Sequence, residues 1–265
     1  MKKFVMVQPD VYRLVLPFRD IFTTVWVLKA PDGVVLFDTG TYDSDVDDRI
    51  LPALEALQIA AKDLNYVFIS HNHGDHAGGL SRLMERIPEL TVVSGAPEIR
   101  EEYGDKVLCP LDGDCLLDVY QVVSIPGHTR DSAALLDTRT GTLVTGDCLQ
   151  LEGIIGSGDW AANIPYPQAY LQAIARLRQM DFRCVLTAHD YYPMGFRADG
   201  PLEIRQLLDA CVVPLQKLQN LIRQNPELDD DQIRETYNVP NMPTMRRNVV
   251  AAMRQATEQG LTVEL

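Results

Sequence analysis

A chain of 265 residues with 46% apolar side chains and 7% aromatics has enough hydrophobic material for a substantial core, which rules out a disordered polymer or a small disulfide-stapled module. Twenty-four basic against 37 acidic side chains leave a net charge of −13, so tracking of a phosphate backbone is not the expected activity and no nucleic-acid partner is expected. No run approaches the ~18 apolar residues of a membrane span, and Met1 to Asp10 holds no long apolar stretch; a soluble cytoplasmic protein without export signal or membrane contact is expected. The cysteines, Cys109, Cys115, Cys148, Cys184 and Cys211, are odd in number and scattered through apolar segments, which fits buried reduced thiols rather than a disulfide framework.

The chain opens with short apolar strands over 4–7, 11–16, 24–29 and 34–37, and Pro31-Asp32-Gly33 between the last two predicts a hairpin. Phe18, Ile21 and Phe22 fall to an apolar loop between the early strands. The fourth strand runs into Asp38-Thr39-Gly40, where an aspartate either caps a turn or accepts a hydrogen bond from a metal-bound histidine. Val46, Ile50, Leu51, Leu54 and Leu57 recur at helical spacing over 45–58, with Asp45, Asp47 and Asp48 in the first turn. A strand over 66–69, a helix after Gly79, a strand over 90–93 and a short helix over 97–102 continue the alternation.

The second half returns to strands at 117–125, 133–136 and 142–145, then a helix over 168–180 with Tyr170, Leu171, Ile174 and Leu177 on one face, then a strand over 182–187. Beyond Gly200-Pro201 the pattern is helical: 202–212, an interruption at Pro214, a polar break over 225–231, and a last helix over 245–258 that stops at Gly260. The expected division is a catalytic domain over 1–200 and a helical C-terminal subdomain over 201–265.

Ser70 to Gly79 carries three of the five histidines and a carboxylate: His71, His73, Asp75 and His76, followed by Gly78-Gly79, a pair suited to a tight turn. On an extended segment His71 and His73 project from one side, and Asp75 and His76 break that phase. Neutral imidazole plus carboxylate suits zinc, and also iron or manganese. The other two histidines, His128 in Pro126-Gly127-His128 and His189 in Ala188-His189-Asp190, follow apolar strands, as does Asp147 in Gly146-Asp147. Strand ends thus supply every candidate ligand, which argues for one shared site.

His71-x-His73-x-Asp75-His76, followed at a distance by Gly127-His128, Gly146-Asp147 and Ala188-His189, resembles the metallo-β-lactamase superfamily over roughly residues 1–195. The resemblance implies an α/β fold: an αββα sandwich with two divalent metal ions at one edge of its sheets, zinc before iron or manganese, and a small helical C-terminal appendage. Carried over by position, His71, His73 and His128 hold the first metal, Asp75, His76 and His189 the second, Asp147 bridges them, and Asp38 is the carboxylate behind the ligands. The implied chemistry is hydrolysis of a small-molecule ester, thioester or lactone by a metal-bridging hydroxide, with a metal or a protonated Asp75 assisting the leaving group.

Within the superfamily, glyoxalase-II-like thioesterases share this motif set and a helical C-terminal region, although their glutathione-binding signatures are not recognisable after Gly200. Lactonases commonly place a tyrosine where this chain has Gln150, flavin-associated di-iron reductases an acidic residue where it has His73, and the best-known antibiotic-hydrolysing members are exported and lack Asp147. A mononuclear iron persulfide dioxygenase, a phosphodiesterase and a non-catalytic metal-binding sensor stand as alternatives. Phe22, Trp160, Tyr166, Tyr191 and Tyr192 are the nominated substrate contacts, together suggesting a partly apolar mouth, and a homodimer is the assembly to test.

Overall fold

The computed structural model describes residues 3–158, 160–237 and 245–264. Positions 238–244, inside the expected helical subdomain, lie outside the described residues. By its internal contacts the chain divides into two compact units, Met1–Val123 with Ala133–Arg139, and Ser124–Ser132 with Thr140–Leu265.

The first unit is built on a sheet ordered β1 (Val5–Gln8), β2 (Val11–Phe18), β3 (Ile21–Ala30), β4 (Gly33–Phe37), β5 (Leu64–Ile69), β6 (Thr91–Ser94) and β7 (Val107–Leu108). The first four strands pair antiparallel and the rest parallel. Phe18 and Ile21 face each other as the last pair of the β2–β3 ladder, with Phe22 opposite Pro17. The expected apolar loop is therefore a two-residue turn at Arg19-Asp20: strand pairing extends β2 and β3 past the expected strand ends at 16 and 24, and Arg19 turns the chain with φ 50°.

Parallel pairing needs crossovers, and helices supply them. Between β4 and β5 run α1 (Asp43–Asp45), a π-helical turn over Val46–Ile50, and α2 (Leu51–Ala56). Val46, Ile50 and Leu54, three of the residues whose spacing predicted a helix, are buried in the core with Leu36, Val67 and Val92. Between β5 and β6 lie α3 (Gly74–Ala77) and α4 (Leu80–Arg86), and α5 (Pro97–Tyr103) joins β6 to β7. The unit also holds β8 (Cys115–Leu116), β9 (Tyr120–Ser124, up to Val123) and β10 (Ala133–Asp137). The single strand expected over 117–125 is a hairpin instead, because Leu117 and Asp118 both turn at positive φ.

In the second unit β11 (Thr142–Val144) pairs parallel with β13 (Cys184–Tyr192). β12 (Gly153–Ile154) and β14 (Gly195–Asp199) pair antiparallel with β13. The crossover helix α6 (Pro167–Leu177) buries Tyr170, Ile174 and Leu177 from its expected apolar face. Among the described residues four helices follow: α7 (Gly200–Ala210), α8 (Val213–Gln224), α9 (Asp230–Thr236) and α10 (Arg247–Glu258). Pro214 sits in the first turn of α8, where its missing N–H costs nothing, so the expected interruption is a fresh helix start. The polar break ends earlier than expected: α9 begins at Asp230, where Asp229 accepts from Gln232 N and the Gln232 side chain accepts from Asp229 N, each at 2.9 Å.

All five cysteines are free, but Cys109 and Cys115 are exposed rather than buried. No helix among the described residues is long and apolar enough to cross a membrane.

Candidate metal centre

The first unit brings four sequence-predicted ligands to the carboxyl ends of β4 and β5. Asp38 leaves β4 at φ 64°, a left-handed conformation that aspartate tolerates better than most residues. Its Oδ1 accepts from Ser70 N at 2.8 Å, and its Oδ2 accepts from Ser70 Oγ at 2.9 Å and meets His76 Nδ1 at 2.7 Å. Burial raises the Asp38 carboxyl above its ordinary range, opposed by His76 and by the two bonds from Ser70.

This network dictates two tautomers. His76 Nδ1–H donates to Asp38, which turns its Nε2 lone pair toward Asp75, 3.3 Å away. The Ser70 hydroxyl spends its one proton on Asp38, so at 3.0 Å it accepts from His71 Nδ1–H and leaves the lone pair on His71 Nε2. His71 Nε2 lies 2.9 Å from His73 Nδ1. At metal–nitrogen bonds of about 2.0–2.1 Å, two ligand nitrogens on one ion sit about 2.9 Å apart at a right angle and about 3.3–3.4 Å apart at the tetrahedral angle. His71 and His76 are fully buried and Asp75 nearly so.

Thr39 holds the other side of His76, its N and Oγ1 both donating to the His76 carbonyl at 2.7 and 2.8 Å. The close approach of these segments explains Gly78-Gly79. The pair makes no positive-φ turn, Gly78 having φ −63° and Gly79 φ −82°. A Cβ on Gly78 would instead meet the Thr41 carbonyl oxygen at 2.3 Å, and one on Gly79 the Thr39 oxygen at 2.4 Å. Both obstacles are backbone, so Gly79→Ala is expected to destabilise by about 2–3 kcal/mol or more, read as a lower urea midpoint at unchanged slope.

The second unit supplies the other three. Gly127, at φ 151°, has α6 packed against it, and a Cβ there would meet Tyr170 at 2.5 Å. The next residue, His128, donates from Nδ1 to the Asn163 carbonyl at 2.8 Å, so its lone pair is on Nε2, facing Asp147 Oδ2 at 3.7 Å. Asp147 follows β11, where Thr145 N bonds the Leu186 carbonyl at 2.9 Å and Ala188 N bonds the Gly146 carbonyl at 3.2 Å. His189 does not follow β13 as expected but lies inside it. The β13–β14 register slips between Leu186 and Tyr191, the stretch that holds His189. His189 Nε2 lies 3.1 Å from Asp147 Oδ1.

One carboxylate therefore turns its two oxygens to two different imidazoles. A lone-pair nitrogen facing a carboxylate oxygen repels it unless a cation lies between or the ring is protonated, so this donor set fits divalent metal ions. In the first unit His71 offers its Nε2 lone pair beside His73 Nδ1, 2.9 Å away, which sets two imidazole donors side by side.

The model of the metallo-β-lactamase superfamily matches residues 19–189. The chain belongs to that superfamily. A solved metallo-β-lactamase family protein from Thermus thermophilus is 19% identical, with a TM-score of 0.65 over 96% of this chain and 95% of that one, and so shares the fold. The fold implied by the resemblance is thus shown, with its helical C-terminal portion. A hydroxyacylglutathione hydrolase of Xanthomonas axonopodis pv. citri (strain 306) is 35% identical over 127 residues, 47% of this chain and 46% of the relative. One from Nostoc punctiforme (strain ATCC 29133 / PCC 73102) is 29% identical over 144 residues, 53% and 56%. The chain thus spans about half the length of the curated relatives it matches.

The nominated substrate contacts scatter. Phe22 is half-buried in β3 beneath the Arg13 guanidinium, 5.3 Å from its ring centroid. Tyr166 and Tyr192 are exposed. The Arg130 guanidinium lies 5.1 Å over Tyr166 and that of Arg246 5.1 Å over Trp160. Tyr191 is buried, its hydroxyl bonded to the Gln150 amide. Ser70, Thr39, Asn163 and Gln150 were not singled out as site residues by sequence reasoning. Ser70 had a local signal in its place directly before the first histidine, and Gln150 in its place three residues past Asp147, where lactonases commonly have a tyrosine.

Proposed function

We propose that this superfamily member is a dinuclear metal-dependent hydrolase of small acyl thioesters. In this reading His71, His73 and His128 hold one metal ion, and Asp75, His76 and His189 a second, with Asp147 shared between them. The observation that carries it is the Asp147 carboxylate, whose oxygens face His128 and His189 separately. The preference for thioesters is supported by the hydroxyacylglutathione hydrolases among its relatives.

Metal ions bound there, zinc before iron or manganese, supply an activated water at neutral pH and polarise the acyl carbonyl. The chain's own residues orient and carry protons. Asp38 and Ser70 keep His76 and His71 in the tautomers that offer Nε2, and the Asn163 carbonyl does the same for His128. Asp75, whose Oδ2 lies 3.3 Å from His76 Nε2, is the group to hold a proton for the leaving thiol. Arg130 and Arg246, spread over Tyr166 and Trp160, suit an anionic thiol carrier. Arg246→Ala is then expected to raise KM several-fold with little change in kcat.

The test is metal quantification beside a screen of glutathione and coenzyme A thioesters, lactones and phosphodiesters. Two metals per chain and fastest turnover on a thioester support the reading. A single iron with oxygen uptake on glutathione persulfide replaces it with a dioxygenase, and fastest turnover on a phosphodiester replaces the substrate class. Two bound metals with no turnover in the screen leave a sensor. Chelation is expected to abolish turnover and to lower the melting temperature, because metal bound only by the folded state stabilises it by mass action.

A further inference from the structure

Gln150, three residues past Asp147, is buried, and each of its polar groups is engaged. Its Nε2 donates to the Asp147 carbonyl at 3.1 Å and to Tyr191 Oη at 2.9 Å, and its Oε1 accepts from Asn163 N at 3.1 Å. The amide cannot be reversed: the flipped form sets oxygen against the Asp147 carbonyl and NH₂ against the Asn163 N–H. Its backbone is equally held, N donating to Tyr170 Oη and the carbonyl accepting from the same hydroxyl, both at 2.8 Å.

Each side-chain bond leads to a different ligand. Asp147 is reached directly through its main chain. His128 is reached through Asn163, whose N–H bonds Gln150 and whose carbonyl accepts from His128 Nδ1. His189 is reached through Tyr191, whose ring meets the imidazole edge-on with centroids 5.8 Å apart. A buried amide with each of its own donors and acceptors bonded is held rigidly, and here that one side chain ties together three segments distant in sequence.

We propose that Gln150 is a positioning residue that holds Asp147, His128 and His189 in the mutual geometry a metal requires. The inference rests on the dinuclear reading above. Gln150→Met preserves length and removes all three side-chain bonds; Gln150→Glu preserves shape but sets an oxygen against the Asp147 carbonyl. Tyr191→Phe removes one bond only.

The experiment measures zinc stoichiometry, affinity by chelator competition, and the visible spectrum of the cobalt(II) form, with the melting temperature of each metal-free protein as the fold control. Wild type is expected to bind two ions. Gln150→Met and Gln150→Glu are expected to weaken binding by about 10–100-fold and to shift the cobalt bands. Tyr191→Phe is expected to move both readouts less, in the same direction, and to add little to Gln150→Met because the two share one bond. Wild-type affinity and an unchanged cobalt spectrum in Gln150→Met overturn the proposal. Should the Gln150 variants not fold, unchanged affinity and spectrum in Tyr191→Phe overturn it. A wild-type protein that binds no metal overturns the dinuclear reading itself, and this inference with it.

Discussion

In the proposed dinuclear thioesterase, Asp147→Asn is expected to lower kcat/KM on the best thioester by about 10³-fold, ~4 kcal/mol of transition-state stabilisation, and to reduce the metal content from two ions per chain toward one. The substitution is isosteric, so packing around the buried side chain survives. What changes is charge and donor type. The carboxylate offers an anionic oxygen to each side, toward His128 Nε2 and His189 Nε2. The amide offers one neutral oxygen, and its NH₂ must face the other imidazole, where it occupies that nitrogen's lone pair. One side of the centre loses its ligand whichever way the amide points. Full activity with two bound metals in this variant would remove the shared-carboxylate reading.

Asp38→Asn is expected to weaken metal binding and turnover about 10–100-fold without contacting a metal. Asparagine tolerates the φ of 64° and keeps an oxygen for Ser70 N, so the backbone stands. Its NH₂ then faces His76 Nδ1 and Ser70 Oγ, where the carboxylate oxygen accepted from both. His76 must accept at Nδ1 and carry its proton on Nε2, the nitrogen needed as a ligand. The Ser70 hydroxyl, now receiving a proton from the amide, is free to donate to His71 Nδ1 and drives that ring to the wrong tautomer too. Nitrogen-15 shifts of the two imidazoles in the metal-free protein read this directly. Asp38→Ala is the harsher control: it strands Ser70 N–H at a buried site and adds left-handed strain, together about 2–5 kcal/mol. Wild-type tautomers in Asp38→Asn would show that Asp38 serves packing alone.

The parts legible in the sequence were those with a local physical cause. Helical spacing at Val46, Ile50 and Leu54 located the crossover before β5, because burial of one helix face writes itself into the sequence. The Asp229–Gln232 box that starts α9 was equally local, but a seven-residue helix burying only Ile233 has no apolar stripe to announce it. β14 escaped for a different reason: Phe-Arg-Ala-Asp alternates, but over four residues with one large apolar side chain the pattern is too short to announce a strand, and pairing with β13 makes it one.

By itself the sequence determined the donor chemistry and the order in which donors arrive. Three histidines and an aspartate within six residues mark candidate metal ligands by residue type and local spacing, and the resemblance to the superfamily adds His128, Asp147 and His189 to the candidates, all without tertiary knowledge. Only the tertiary structure decided which nitrogen of His71, His76 and His128 is left with a lone pair. That depends on Asp38 reaching Ser70 and His76 across more than thirty positions, and on Gln150 meeting Asn163 and Tyr191, where hydrogen-bond partners are chosen by the fold rather than by neighbours in the chain.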